Sequence, residues 1–280
     1  MNKTLTTLLA GSLTFALAAG LSAAEDLADN AATVLRLRGP VFYQEEGSDP
    51  EPVVEGQLFS EGDRLVTHEG GELELALADG STMALGPNSE MTVKSLGSGA
   101  EGSQTLFVVW RGRLNAIVHK LSTGSAFEIE TSSSVAAVKG TQFEVSAEEG
   151  AGVVTVHEGT VAVSDPQRRN TVMVPKFHQV RASQGAVQPA RPLSREEAKE
   201  FTQRWAEARE VHAKRGLLLE KLKPGREQRR QALVLRQRAR QERQKKVAPP
   251  AKPAEARKRA VDKPMPRPKP AKKARRHRTD

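Results

Sequence analysis

Between positions 72 and 85 the chain reads Glu72-Leu73-Glu74-Leu75-Ala76-Leu77-Ala78-Asp79-Gly80-Ser81-Thr82-Met83-Ala84-Leu85. Apolar side chains alternate with polar or small ones on both sides of the Asp-Gly pair, which is the periodicity of strands with one buried face. Glycine accepts the positive φ of a tight turn, so this pair between two alternating runs predicts a β-hairpin.

The same alternation recurs over most of the chain. Alternating runs occupy positions 34–41, 106–118, 127–131, 138–145 and 154–163. Turns are expected at Arg111-Gly112-Arg113, Gly140-Thr141 and Glu158-Gly159-Thr160. Short strands separated by frequent turns predict a mainly β domain over residues 32–187, either an antiparallel sandwich or roll or a short β-solenoid.

Several short motifs in this region resemble the FecR-type periplasmic domain. The residues that carry the resemblance are Gly62, Asp63, Asp79, Gly80, Lys139, Gly140, Thr141, Phe143 and Gly159. The family usually has arginine where this chain has Lys139, and a point charge does not replace a planar guanidinium. The resemblance implies the following for signalling members of the family. Their domain lies outside the inner membrane and receives a signal from an outer-membrane transporter. Those members relay to a sigma factor through a membrane span and a cytoplasmic anti-sigma region. We expect this chain to lack both, so the resemblance implies a domain for protein contact and not the relay.

The first 24 residues have the pattern of a secretory signal, and residues 25–31 form a short leader. Lys3 precedes 21 uncharged residues that end in Ser22-Ala23-Ala24. This order is typical of export signals, although an uncleaved membrane anchor is the alternative. We therefore expect a periplasmic protein, with secreted or outer-membrane-associated protein as alternatives.

Charge is distributed very unevenly. Residues 25–191 carry 13 Lys+Arg against 23 Asp+Glu, a net of −10, whereas residues 221–280 carry 23 against 5, a net of +18. The chain has no cysteine, which excludes disulfides, thiolate nucleophiles and zinc-thiolate sites. An acidic module joined to a basic segment favours a polyanionic or membrane-surface partner.

Residues 193–223 are predicted to form an amphipathic helix. Ser194 and Glu197 have the spacing of a capping box. Phe201 and Trp205 share one face with Ala208 and His212, so we expect them to dock the helix against the β domain. A helix that binds a partner is the alternative.

A second, basic helix is predicted over residues 225–247, and a Lys/Pro/Ala-rich tail over 248–280 that is too polar to fold. Both are candidates for binding phosphate or acidic headgroups, with a solvated helix as the alternative for residues 225–247. The candidate polyanion-binding residues are Arg229, Arg236, Arg240, Arg243, Lys245, Lys246, Lys272, Lys273, Arg275, Arg276 and Arg278.

Motifs of catalytic or cofactor sites are weak. Gly97, Gly99 and Gly102 match a dinucleotide fingerprint, but a strand and not a helix is expected after them. No histidine pair has metal-ligand spacing, and Glu128 with Glu130 has the pattern of a solvated strand face. We therefore expect no enzyme activity, no cofactor and no metal.

The sequence favours a non-enzymatic interaction protein of the cell envelope. Its β domain would contact an unidentified envelope protein, and its tail would attach to an anionic polymer or to lipid headgroups. The alternatives are a regulatory accessory whose tail masks the β domain, a non-specific polyanion or nucleic-acid binder, and, ranked last, an enzyme of cell-wall glycan.

Overall fold

The computed structural model describes residues 30–45, 48–99 and 102–247, and they form a β domain followed by two helices. The predicted signal segment 1–24, most of the leader 25–31 and the predicted tail 248–280 lie outside the described residues. The strands are β1 (Ala32–Arg38), β2 (Val41–Gln44), β3 (Glu51–Pro52), β4 (Leu58–Phe59), β5 (Arg64–Thr67), β6 (Glu72–Ala76), β7 (Thr82–Leu85), β8 (Glu90–Gly99), β9 (Gly102–Ile117), β10 (Ala126–Glu130), β11 (Val135–Val138), β12 (Gln142–Glu148), β13 (Ala151–Glu158), β14 (Thr160–Ser164), β15 (Thr171–Pro175), β16 (His178–Ser183), β17 (Ala186–Val187) and β18 (Arg191–Pro192). The helices are α1 (Arg195–Lys221) and α2 (Arg226–Val247).

The strands form two layers that share strand β9. Sheet I has the order β4-β1-β6-β7-β9-β12-β13-β16, with β17 and β18 on the far side of β16. Sheet II has the order β3-β2-β5-β8-β9-β10-β11-β14-β15. The mainly β fold with C-terminal helices is confirmed. It is not purely antiparallel, because β10 runs parallel to β9.

The predicted turn at Arg111-Gly112-Arg113 is wrong. Strand β9 continues through these residues, pairing with β8 and β10 in sheet II before Gly112 and with β7 and β12 in sheet I after it. Gly112 has φ +90, which other residues rarely adopt. The glycine therefore bends one strand across the two layers and does not reverse the chain.

The turns at Gly140-Thr141 and Gly159 also join the layers. Strand β11 lies in sheet II and β12 in sheet I, and the step from β13 to β14 returns to sheet II. The predicted hairpin at Asp79-Gly80, by contrast, joins neighbouring strands β6 and β7 of one sheet.

The inward faces of both sheets form one apolar core. Phe59 and Phe143 from sheet I meet Phe107 and Phe127 from sheet II in a single buried cluster. The two faces supply the alternating apolar positions that the sequence predicted, and their burial is the main favourable contribution to folding.

The helices begin and end close to their predicted limits. Helix α1 starts after the N-cap Ser194 and ends at the C-cap Leu222, before Pro224-Gly225. A first unit of the chain runs to Arg240, and a second comprises residues 241–280, of which the structure describes the end of α2. No helix within the described ranges is both long and apolar enough to cross a membrane.

Candidate interaction surfaces

The start of helix α1 is fixed by hydrogen bonds that the sequence predicted. The Glu197 amide donates to the Ser194 hydroxyl at 3.2 Å, and the Ser194 amide donates to the Glu197 carboxylate at 2.8 Å. The two terminal nitrogens of the Arg191 guanidinium also donate to that carboxylate, at 2.8 and 3.0 Å. These hydrogen bonds, that from Arg191 first, lower the pKa of Glu197 to about 2. The helix therefore leaves strand β18 in a defined direction.

Helix α1 packs on the outer face of sheet I through an aromatic cluster. Phe201 and Trp205 are fully buried and pack with Ile117 of β9. The His157 ring of β13 stacks on Trp205 with centroids 5.3 Å apart and contacts Phe201 edge-on at 5.7 Å. Further along the helix, Val211 packs on Leu35 of β1. The structure thus places Phe201 and Trp205 in an intramolecular contact.

A polar row lies beside this cluster. Arg36 of β1 donates to Glu74 of β6 at 2.5 Å and to Glu207 of α1 at 3.0 Å. Glu144 of β12 is 3.7 Å from Arg113 and 3.8 Å from the helix residue Arg204. Burial raises the pKa of both Glu74 and Glu144, although the neighbouring arginines oppose the shift. One oxygen of each carboxylate has no hydrogen-bond partner, so this contact stabilises the helix less than an apolar one would.

His157 makes the contact of α1 sensitive to acid. Burial lowers its pKa below 6.5, Arg209 and Lys176 lower it further, and Glu158 opposes them. The unfolded chain therefore binds a proton near pH 6.5 that the folded chain takes up only at lower pH. Folding stability must then fall as the pH drops below about 6.5.

When the pH is lowered from about 7.5 to about 5.5, we expect the melting temperature of His157→Phe to fall less than that of the natural chain. Phenylalanine keeps a ring against Trp205 but binds no proton. His212 also has a pKa lowered by burial, and Glu74 and Glu144 titrate in the same contact, so only the difference between the two chains isolates His157. His68→Phe, at an exposed position, is the control. Identical pH profiles for the natural chain and His157→Phe would contradict this assignment.

Helix α2 brings two of the predicted basic residues into the β domain. Arg240 is 9% exposed, and its guanidinium donates to the carbonyls of Glu61 at 2.7 Å and Gly62 at 2.6 Å. Arg236 donates to the carbonyl of Leu58 at 2.6 Å. In this arrangement both residues bind the protein's own backbone and are not offered to an external polyanion.

The acidic partner of these arginines is Asp63, a residue of the family motif. It is 1% exposed and accepts a hydrogen bond from the Ser60 amide at 2.9 Å. Arg240 lies 3.6 Å and Arg236 3.9 Å from its carboxylate. Burial raises the pKa of Asp63, while the Ser60 hydrogen bond and the two arginines act against that shift. The spacing of four between the arginines was visible in the sequence, but nothing local linked them to a site more than 170 positions away.

The other predicted basic residues have different surroundings. Arg229 donates to the carbonyls of Leu222 and Pro224 and closes the turn between the helices. Arg243 and Lys245 are exposed on the end of α2. The Lys246 side chain lies outside the described part of the structure, as do Lys272, Lys273, Arg275, Arg276 and Arg278.

The remaining family-motif residues shape turns. Asp79 accepts from the Ser81 amide and hydroxyl at 2.8 Å each, and Gly80 between them has φ +89. A Cβ on Gly159 would lie 2.7 Å from the Thr141 methyl, so the two layer-crossing turns touch. Lys139 is exposed beside Gly140, whereas Phe143 is a core residue. Asp79, Gly80 and Gly159 therefore have structural roles in turns, and Phe143 has one in the core.

Sheet II leaves its outer face uncovered by α1. Glu128 and Glu130, predicted as a solvated face, are bound there by Arg168, which donates to Glu128 at 2.6 and 2.7 Å and to Glu130 at 3.3 Å. Trp110 is 48% exposed on the same sheet and donates to Thr92 at 2.9 Å. Within the described residues no three His, Cys, Asp or Glu side chains are grouped as a metal site would require.

Comparison with known proteins identifies the domain. Residues 63–162 match the model of the FecR protein family. Two crystal structures, at 1.65 and 2.50 Å, of a candidate anti-sigma factor from Parabacteroides distasonis ATCC 8503 are similar to this chain with TM-score 0.42 and 19% identity. The similarity covers 50% of this chain and 64% of that protein, so the chain spans less than two thirds of its length. No curated protein matches. The family match assigns residues 63–162 to a FecR domain.

Proposed function

We propose that this protein is a non-enzymatic regulatory component of the bacterial cell envelope. Its FecR domain would contact a protein partner in the periplasm, and its basic C-terminal segment would attach it to an anionic envelope surface. The match of residues 63–162 to the FecR family supports the regulatory part of the proposal, because signalling members of that family relay a signal to a sigma factor. The signal-like segment 1–24 supports a location outside the cytoplasm.

The charge distribution is the observation that carries the surface attachment. Residues 248–280 contain 12 Lys+Arg and 3 Asp+Glu, whereas the domain that precedes the helices is acidic. Each Lys or Arg near an anionic membrane contributes about 1 kcal/mol. Engaging about four of them would increase the affinity roughly a thousandfold, which suffices for reversible attachment.

We expect the chain from residue 25 onward to sediment with vesicles that contain anionic lipid and not with neutral vesicles. Replacing the 12 Lys and Arg of residues 248–280 by Gln should abolish this binding. The helices stay intact in that variant, whereas a deletion from residue 221 would also remove the packing of Leu233. About 1 M salt should release the natural chain, because it shortens the Debye length to about 3 Å.

A tail of the same composition in scrambled order is the matched control. It should bind as well as the natural tail, because the attraction depends on charge and not on sequence. Parallel titrations with lipopolysaccharide and with duplex DNA compare the anionic sources, and tighter binding to DNA would favour the nucleic-acid alternative. Equal sedimentation of the Gln variant and the natural chain would refute attachment through the tail.

A second candidate, a regulatory accessory that masks its own β domain, is favoured by one observation. Arg240 of α2 covers Asp63 and the carbonyls around it. Whatever binds the FecR domain there must first displace this helix.

A further inference from the structure

A concentrated set of hydrogen-bond acceptors lies at the start of the FecR domain. We use the name Asp63 pocket for residues 58–63 together with Tyr43 and Glu45. Three backbone carbonyls, those of Leu58, Glu61 and Gly62, point out of this segment toward α2. Gly62 has φ +87, a conformation that few other residues adopt, and a Cβ there would collide with the Arg240 guanidinium. The glycine therefore both shapes the pocket and keeps it open.

The pocket suits the planar guanidinium group. Two nitrogens of Arg240 donate to two successive carbonyls, at 2.7 and 2.6 Å, with the Asp63 carboxylate 3.6 Å away. The Arg236 guanidinium lies over the Tyr43 ring at 5.2 Å and 3.6 Å from Glu45. A lysine ammonium is a point charge without this planar fork. Lysine in place of Arg240 therefore cannot reproduce the paired bonds to the two carbonyls, and lysine in place of Arg236 cannot lay a planar group on the Tyr43 ring.

The fit of α2 in the pocket is incomplete. One terminal nitrogen of Arg236, Nη1, is buried without a hydrogen-bond partner. Both arginines approach Asp63 at 3.6 to 3.9 Å, longer than a hydrogen bond. The apolar part of the contact is small, because the buried cluster around Leu233 contains two further residues, Leu58 and Ala31. This contact is ionic, buries little apolar area and leaves one donor unpaired. A ligand that pairs all of its donors in the pocket can therefore displace α2.

We propose that the Asp63 pocket is a binding site for two arginines placed one turn apart on a helix of a partner protein, and that α2 is its internal competitor. The inference rests on the proposed contact between the FecR domain and a protein, and it specifies the chemistry of that partner. A basic helix complements the net charge of −10 of residues 25–191. Arg236 and Arg240, spaced by four, show how such a helix lies in the pocket.

The test uses the full chain and a fluorescent peptide with the sequence of residues 226–240. We expect the chain with Arg236→Gln and Arg240→Gln to bind the peptide at least about tenfold more tightly than the natural chain, whose pocket α2 fills. Asp63→Asn in the same chain should abolish binding. A peptide with lysine at both arginine positions should bind at least about tenfold more weakly. A peptide with Arg238→Lys, at an exposed position, is the matched control and should bind unchanged.

Amide hydrogen exchange of residues 226–240 gives a second measurement in the same chains. Exchange should rise in Arg236→Gln/Arg240→Gln and stay unchanged in Arg238→Gln, while exchange in β8 and β9 reports an intact domain. Equal peptide binding by the natural and double-variant chains would overturn the proposal, and so would equal binding of the arginine and lysine peptides. The peptide lacks residues 248–280, so these results are independent of attachment to vesicles.

Discussion

Trp205→Ala is expected to lower the free energy of unfolding by about 3 kcal/mol, the lower end of the range for a buried large aromatic residue. The side chain is fully buried and contacts Phe201, with ring centroids 5.9 Å apart, as well as His157. The lower end applies because the buried indole N–H has no hydrogen-bond partner. Removing it also removes the unfavourable free energy of keeping an unpaired donor away from water. Chemical denaturation followed by circular dichroism measures the change.

Two further variants sharpen this prediction. Trp205→Phe removes the unpaired N–H and keeps a ring, so we expect a loss of less than about 1.5 kcal/mol. Leu217→Ala, on the same helix but 68% exposed, should change stability by less than about 0.5 kcal/mol. Hydrogen exchange should show that Trp205→Ala frees α1 while strands β8 and β9 stay protected, since the inward core does not contain Trp205. A loss below about 1 kcal/mol for Trp205→Ala would show that the aromatic cluster does not anchor the helix.

Gly112→Ala is expected to destabilise the β domain by at least about 3 kcal/mol. A φ of +90 strains any side chain, which costs about 1–3 kcal/mol. A Cβ would also lie 2.5 Å from the Ser89 Cα, and forced overpacking costs about 1–3 kcal/mol more. Ser89 cannot move freely, because it is fully buried and its hydroxyl accepts from the Arg113 amide at 3.0 Å.

Gly150→Ala is the matched control for the steric part. Gly150 also has a positive φ, +69, but a Cβ there would meet nothing within 4 Å. We expect about 1–2 kcal/mol from backbone strain alone. The two variants differ mainly in the collision with Ser89, so equal losses of stability would contradict the close packing at the point where β9 changes sheets.

Local sequence patterns predict the strands of this domain but not how strand β9 passes through Gly112. Alternation predicted the strands because one face of each is buried. The pattern around Gly112 looked like a turn because glycine with positive φ occurs both in hairpins and in bends within a strand. Only the pairing partners distinguish the two, and those partners are distant in sequence.

The helices illustrate the same difference. The capping box and the apolar positions 201 and 205 predicted where α1 begins and which face it buries, since both depend on neighbours within a few residues. Val211 was missed although it packs on Leu35, because the predicted face continued through Ala208 and His212. In α2 the strong positive charge predicted binding to an external polyanion, whereas Arg236 and Arg240 bind the carbonyls of the β domain.

Local periodicity and turn chemistry, read from the sequence alone, determined the β class of the domain and the limits of its helices. The FecR motifs were recognised by their resemblance to a known family. Net charge along the chain likewise separated an acidic domain from a basic C-terminal segment. The tertiary structure decided which strands pair, where β9 passes between sheets and which arginines meet Asp63. These features depend on contacts between residues far apart in the chain. A local sequence pattern does not reveal which distant residues meet, and so it cannot predict the energies of those contacts.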